Sequence, residues 1–279
     1  MDGVTHFLAG DLRGLAAALG ALAVCAVFFA ALARVVKPAS WVADARTAAG
    51  ETRINVILSV VDQLTVTPAL GLAIAWAASH GPKLAAAPIW DRIGHWPTIL
   101  AIVFVGDFLG YWRHRAQHSK WLWPAHAIHH SDTRLTWFSL ERMHPIDRLG
   151  SALDTVVLAA LGFPFWAQAA NVFVRHYYGY LIHADVPWTF GKAGLVLNTP
   201  AMHRWHHARD VEGSGANFAT VFSVFDRAFG TYHQPGPCGA PLGVREAMGE
   251  GALGQYLHPF KAWTAGLRRR RERTADAAA

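Results

Sequence analysis

The chain has 279 residues, 53% of them hydrophobic and only 16% charged, and its mean hydropathy is +0.20. An ordinary soluble domain is about one-quarter charged, so this composition excludes a typical soluble protein and points to a membrane. The formal net charge of +6 would suit nucleic acid, but the long apolar runs assign it to positive-inside topology and anionic lipid instead, and no nucleic-acid partner is expected.

In chain order, the first eleven residues carry Asp2 and Asp11 and no Lys or Arg. The apolar run after them, Leu15 to Val36, is therefore expected to be a retained anchor rather than a cleaved signal. About 20 residues cross a bilayer core, so it predicts a transmembrane helix, stopped by Lys37-Pro38. A second run, Ile54 to Ala78, is interrupted by Asp62, Gln63 and Pro68. A carboxylate facing lipid is costly, so Asp62 is expected to pack against protein or headgroups. Trp90 and Trp96 are placed like interface anchors. The third run, Pro97 to Tyr111, is short, and its helix is expected to continue through Trp112 and carry His114 and His118 beyond the membrane face. Asp107, two turns below His114, is positioned to hold an imidazole supplied by another helix.

Leu149 to Ile182 is broken by Gly162-Phe163-Pro164. A single span here would strand His183 and His203 on the far side, so two shorter helices hinged at Pro164 are expected to bring the chain back. The remainder is soluble in character and ends in the basic run Arg268 to Arg271 with Arg273, which suits a cytoplasmic end lying against anionic lipid. Neither Cys25 nor Cys238 lies in a Cys-x-x-Cys pair or near the histidines, so no disulfide framework or thiolate ligation is expected. Lys and Arg concentrate in 34–53, 112–150 and the tail, which places that side in the cytoplasm. The expected fold is all-α: a polytopic membrane bundle of about four spanning or re-entrant helices with a cytosolic histidine-rich helical cap. Its parts are an N-terminal transmembrane region at 1–95, a histidine-bearing region at 96–235 and a basic tail at 236–279.

Of sixteen histidines, the isolated His6, His80, His95 and His258 read as interface or hydrogen-bonding residues. Three groups differ: His114-Arg-Ala-Gln-His118, His126-Ala-Ile-His129-His130 and His203-Arg-Trp-His206-His207. Spacings of three and four put each group on one helical face. Protonated together they would repel, whereas a bound cation requires their neutral forms and removes the objection. A zinc site takes about four ligands, so these imidazoles exceed one ion and suit two. Open coordination suits non-haem iron, while imidazole serves zinc, copper and nickel as well. The Glu-x-x-His helices of soluble di-iron bundles are absent from these groups.

The ordered set HxxxH, HxxHH, HxxHH on a polytopic scaffold resembles the fatty acid hydroxylase/sterol desaturase superfamily of membrane non-haem di-iron oxygenases. Asp107-Phe-Leu-Gly-Tyr111-Trp-Arg-His114-Arg resembles the approach to the family's first box, and His129-His130-Ser131 its second. Thr199-Pro200-Ala-Met-His203-Arg-Trp-His206-His207 resembles the third, and Asn217-Phe218 with Phe225-Asp226-Arg227-Ala-Phe229-Gly230-Thr231-Tyr232 its closing segment.

The resemblance implies two iron ions, O2 as co-substrate, and hydroxylation or desaturation of a C–H bond in a sterol, fatty acyl or related membrane lipid. It implies His183 as a ninth ligand and His144 as a ligand or a partner of one. His176 is an outside candidate, and His233 is expected to shape the end of the site. Trp112, Trp121, Trp123, Trp137 and Phe138 suit a substrate channel or a membrane interface equally. No flavin or nicotinamide glycine signature, iron–sulfur cysteine set or haem domain is present. Electrons are therefore expected from a ferredoxin, rubredoxin or cytochrome b5 partner, docked on a basic surface of Arg113, Arg115, Arg134 and Arg142. Alternatives are a carotenoid hydroxylase-type di-iron enzyme and a non-redox metal-binding or transport protein. A transporter would hold its ligands at the bilayer midplane, whereas these histidines follow the apolar runs.

Overall fold

The computed structural model describes residues 2–81, 88–212 and 214–276, and among them it is helical with no strands. The chain divides into two units, residues 1–47 and 48–279. The first holds helix α1 (Asp2–Val36) and the opening turns of α2 (Trp41–His80). Pro38 bars continuation of α1, and α2 begins with the Ser40 hydroxyl donating to the Asp44 carboxylate at 3.0 Å.

The second unit continues α2 and adds α3 (Pro88–Ile93), α4 (His95–Gln117), α5 (Trp123–His130), α6 (Pro145–Ala160), α7 (Phe165–His183), α8 (Pro200–His206), α9 (Val224–Ala228) and α10 (Gly251–Asp276). Among the described residues, two stretches are long and apolar enough to cross a bilayer: Leu19–Val36, with mean hydropathy 2.3, and one within Trp41–Ala77, with mean hydropathy 1.6.

The frame of the site is the packing of α4 against α6 and α7 around Ile102, Val103, Leu158, Phe163 and Ala167. α6 ends where Gly162 takes φ 79°, a left-handed conformation that suits glycine, and Pro164 caps α7. The helix thus breaks where Gly162-Phe163-Pro164 predicts, and the returning α7 delivers His183. On α4, Gly106 and Gly110 replace side chains that would collide with Asn171 and Arg175 of α7, so two polar side chains lie directly on the α4 backbone.

Along α2, three polar residues tie that helix to the histidine-bearing end. Glu51 accepts from Arg142 Nη1 at 2.6 Å, the Asn55 amide donates to Asp132 at 2.9 Å, and Asp62 pairs with Arg148 Nε at 2.8 Å. Asp62 thus faces protein, as its cost in lipid requires.

Candidate metal centre

α4 carries His114 on its last full turn and ends with His118 as its C-cap residue. α5 presents His126, His129 and His130 from barely two turns, with Pro124 at its start, where the missing N–H costs nothing. α8 begins with Thr199 accepting from the Met202 amide at 3.1 Å, a cap that fixes the register of His203, His206 and His207. His183 closes α7.

Two compact groups result. His114, His118, His126, His130 and His206 form one, and His129, His183, His203 and His207 the other; within each, the candidate ligand nitrogens lie within 4.8 Å of one another. The two groups adjoin, with the His130 and His207 rings stacked at 4.3 Å. Of the ten histidines named from the sequence, nine are gathered here. His144 is not: its Nδ1 accepts the Ile146 amide at 3.2 Å, capping α6, and its ring lies against Tyr256 and Phe260. His176 also lies apart, 3.4 Å from the Glu141 carboxylate, and the His233 ring packs on Trp205.

Backbone carbonyls fix the tautomers of four of these rings. Nδ1–H of His114 donates to the Phe218 carbonyl at 2.8 Å, that of His183 to Gly179 at 2.7 Å, that of His129 to Arg142 at 3.2 Å, and that of His206 to Ala216. A carbonyl only accepts, so each of these neutral rings leaves Nε2 as a bare lone pair. In the first group all five Nε2 atoms are buried without a partner. In the second, Nε2 of His183 sits 3.2 Å from Nε2 of His129, two lone pairs facing each other. Nε2 of His203 is 2.9 Å from that of His183 and 3.1 Å from that of His207. Buried lone pairs aimed at one another are costly unless a cation lies among them, so this donor set fits metal ions.

Burial acts in the same direction. First by desolvation and then by neighbouring imidazoles, it holds His114, His129, His130, His203 and His207 well below the ordinary imidazole range, and His118 likewise. Burial takes His183 down to about 4 and His206 to about 3, against the opposing pull of their carbonyl partners. All eight are thus neutral at physiological pH, as metal ligation needs.

Around the rings is a support that spacing does not reveal. The segment 216–222 supplies the carbonyls that orient His114 and His206, and two carboxylates hold it. Asp226 accepts the amides of Phe218 and Ala219 at 2.7 and 3.1 Å. Asp107 accepts those of Thr220, Val221 and Phe222 at 3.0, 2.9 and 2.7 Å. Asp107 therefore holds backbone amides and not an imidazole: α4 brings it against this segment, two turns below the rings. Within the two groups, the histidine with a carboxylate at its Nδ1 is His126, 3.4 Å from Asp147, with the Gln117 amide donating to the other Asp147 oxygen at 2.7 Å. Asn217, in the left-handed region at φ 57°, ties the segment to α8 by donating to the Met202 carbonyl at 3.0 Å.

The basic surface expected of Arg113, Arg115, Arg134 and Arg142 is not one surface. Arg142 is 1% exposed and bonded to Glu51, and Arg113 is engaged with Asp154 at 2.8 Å; only Arg115 and Arg134 are exposed.

Beside both groups lies a cavity of about 90 Å³, bordered by His114, His126, His129, His183 and His203. Leu140, Met143, Ile182 and Ala219 give it an apolar wall, and Arg113, Gln117 and Thr220 also border it.

Comparison with known proteins agrees with this geometry. Residues 99–231 match the fatty acid hydroxylase family model. The chain is 33% identical over 175 residues to ornithine lipid hydroxylase OlsE of Rhizobium tropici, covering 59% of this chain and 52% of that protein. It is 30% identical over 179 residues to the alkylglycerol monooxygenase of Homo sapiens, covering 63% of this chain and 39% of that protein. A very-long-chain aldehyde decarbonylase of Oryza sativa subsp. indica is 30% identical over 149 residues, covering 49% of this chain and 54% of that protein. The chain thus spans about half the length, or less, of these relatives. No solved structure matches it. The matched region holds every residue of both histidine groups, and over residues 99–231 the chain is similar to the fatty acid hydroxylase family.

Proposed function

We propose that the protein is a membrane di-iron oxygenase that uses O2 and an external reductant to hydroxylate a C–H bond in the hydrocarbon part of a lipid. The observation that carries this reading is the pair of adjoining imidazole groups whose bare Nε2 atoms converge beside an apolar cavity. His114, His118, His126, His130 and His206 would hold one iron, and His129, His183, His203 and His207 the other. Two irons held in this way supply reductive O2 activation, for which an all-histidine donor set leaves their charge unneutralised.

The chain's own contribution is to hold and to exclude. Carbonyls of Phe218, Ala216, Arg142 and Gly179, with Asp147, keep five rings with Nε2 inward. Leu140, Met143 and Ile182 seat an apolar segment against the histidines and keep water from it. Two relatives, an ornithine lipid hydroxylase and an alkylglycerol monooxygenase, support a lipid substrate. Fatty acyl, sterol and related chains share the chemistry, and desaturation would begin from the same hydrogen abstraction.

In this reading α1 and α2 span the membrane, while α4 and the hinged α6–α7 pair enter it and return, so that the histidine cap faces the cytoplasm. Region 1–95 anchors, region 96–235 catalyses, and the basic tail from 236 onward lies at the cytoplasmic surface. Electrons would come from a carrier of ferredoxin, rubredoxin or cytochrome b5 type.

The test is lipid mass spectrometry of source cells with and without the gene, alongside metal analysis of purified protein. The expected results are two irons per chain and a product heavier by one oxygen atom, lost with His206→Ala. Zinc alone, with no oxygen consumed on reduction, would sink the reading.

A further inference from the structure

We propose that a small acidic one-electron carrier docks on the face made by Lys120, Trp121 and the C-terminal turns of α10, and that the half-buried Trp123 next to that face is the conduit to the histidines. The proposal rests on the oxygenase reading above. Each hydroxylation by O2 consumes two electrons and two protons: one oxygen atom enters the C–H bond and the other leaves as water. A one-electron carrier must therefore be oxidised twice per turnover, at one face within reach of the metal ligands.

The structure points to this face by contact and by charge. On α5, Trp123, His126 and His130 share one side of the helix, spaced by three and four. The Trp123 ring lies 5.1 Å from His118, 5.2 Å from His130 and 6.3 Å from His126, centroid to centroid, touching three members of the five-histidine group. Its indole N–H donates to Glu246 at 2.7 Å, which fixes the ring edge at the surface. Trp121, two residues earlier, is 53% exposed. Two cations flank its ring, Lys120 at 5.5 Å and Arg270 at 4.4 Å, and its carbonyl accepts from Trp263 of α10 at 2.9 Å. Arg268 and Arg269 are also exposed on these turns, with Glu272 among them, so the cations outnumber the two carboxylates, Glu246 and Glu272. Of the histidines that border the cavity, Trp123 touches His126 and not His129, His183 or His203, so it meets the ligands mainly through His118 and His130, which do not border the cavity.

α10 also exposes Leu253, Leu257, Phe260 and Leu267, spaced like the apolar stripe of a helix lying on a bilayer. What favours a protein carrier for the basic turn is that its arginine seats on the indole next to the one that meets the ligands.

The test uses the full-length, iron-loaded protein in phosphatidylcholine nanodiscs, with an acidic ferredoxin as probe and binding measured by interferometry. Wild-type binding should weaken with added salt, and Lys120→Glu with Arg269→Glu should weaken it at least about tenfold. Trp123→Leu, and Trp123→Phe as the milder variant, should leave binding within about twofold yet slow reoxidation of pre-reduced ferredoxin in stopped flow, with iron content unchanged. Binding indifferent to charge reversal, or altered only in nanodiscs containing phosphatidylglycerol, overturns the docking face and assigns the arginines to lipid. Unchanged reoxidation in both Trp123 variants overturns the conduit. Oxygen uptake driven by dithionite separates the two levels: uptake without carrier binding removes this proposal alone, and no uptake removes the oxygenase reading.

Discussion

Two carboxylates hold five consecutive amides, 218 to 222, and through them the carbonyl that orients His114. Asp107 is fully buried and 3.4 Å from Arg175, so Asp107→Asn leaves both an uncompensated guanidinium and an amide group pointed at N–H donors. Breaking one side of a buried pair costs about 3–5 kcal/mol, so a large fall in the thermal midpoint is expected, with reduced iron per chain. Asp147→Asn should be milder for the fold and sharper for the metal. Loss of a carboxylate behind a ligating histidine costs roughly 10–100-fold in affinity, measurable by competition with a chelator. Acid acts through the same rings. Unfolded imidazoles take up protons below about 6.5, whereas His183 in the fold does so only near 4. Between those values the unfolded state binds more protons, so stability falls as pH falls, by roughly 3 kcal/mol for this one group. A melting midpoint in detergent no lower at pH 5 than at pH 7.5 would contradict this. The histidines were legible because their spacing is local. The partners of Asp107 were not, since backbone amides carry no sequence signature, and Arg142 showed its charge without its burial.

At the scale of elements, the α4–α7 contact decides how close the cavity lies to the rings. Gly106 and Gly110 admit Asn171 and Arg175 across the α4 backbone, and a Cβ at Gly110 would collide with the Arg175 guanidinium. Asp107 and Thr220 restrain that group, so Gly110→Ala should displace it and cost about 1–3 kcal/mol as overpacking does. The expected signature is a lower thermal midpoint with iron content retained, which sets it apart from Asp107→Asn. The α6–α7 hinge was readable, because Gly and Pro in succession end helices for stereochemical reasons independent of context. The segment 216–222 was not, because its shape depends on a carboxylate on α4, more than a hundred residues away in sequence, as well as on the nearby Asp226 of α9. The packing of α10 on α5 was equally hidden: Gln255 accepting from Ser131 at 3.0 Å reads from sequence as two ordinary polar residues.

For the whole molecule, topology is the main expectation to check. With the histidine cap in the cytoplasm, a cysteine placed at exposed Ser119, in a chain lacking Cys25 and Cys238, should resist a membrane-impermeant maleimide in intact cells and react after lysis. Labelling in intact cells would place the cap outside. The apolar helices α1, α2 and α4 and the α6–α7 pair were legible from hydropathy, whereas α10 and the internal ion pairs, Asp62 with Arg148 and Asp107 with Arg175, were not. The cavity carries a final consequence. At about 90 Å³ it is far smaller than the ~300–1,000 Å³ of pockets that enclose a ligand whole. On the proposed reading, only the reacting carbons would fit beside the rings, and the rest of the lipid would stay in the bilayer. The protein would then work as a depth gauge: the carbon oxidised is set by its distance from the membrane surface, and lipids of different chain length should be marked at the same position counted from the headgroup.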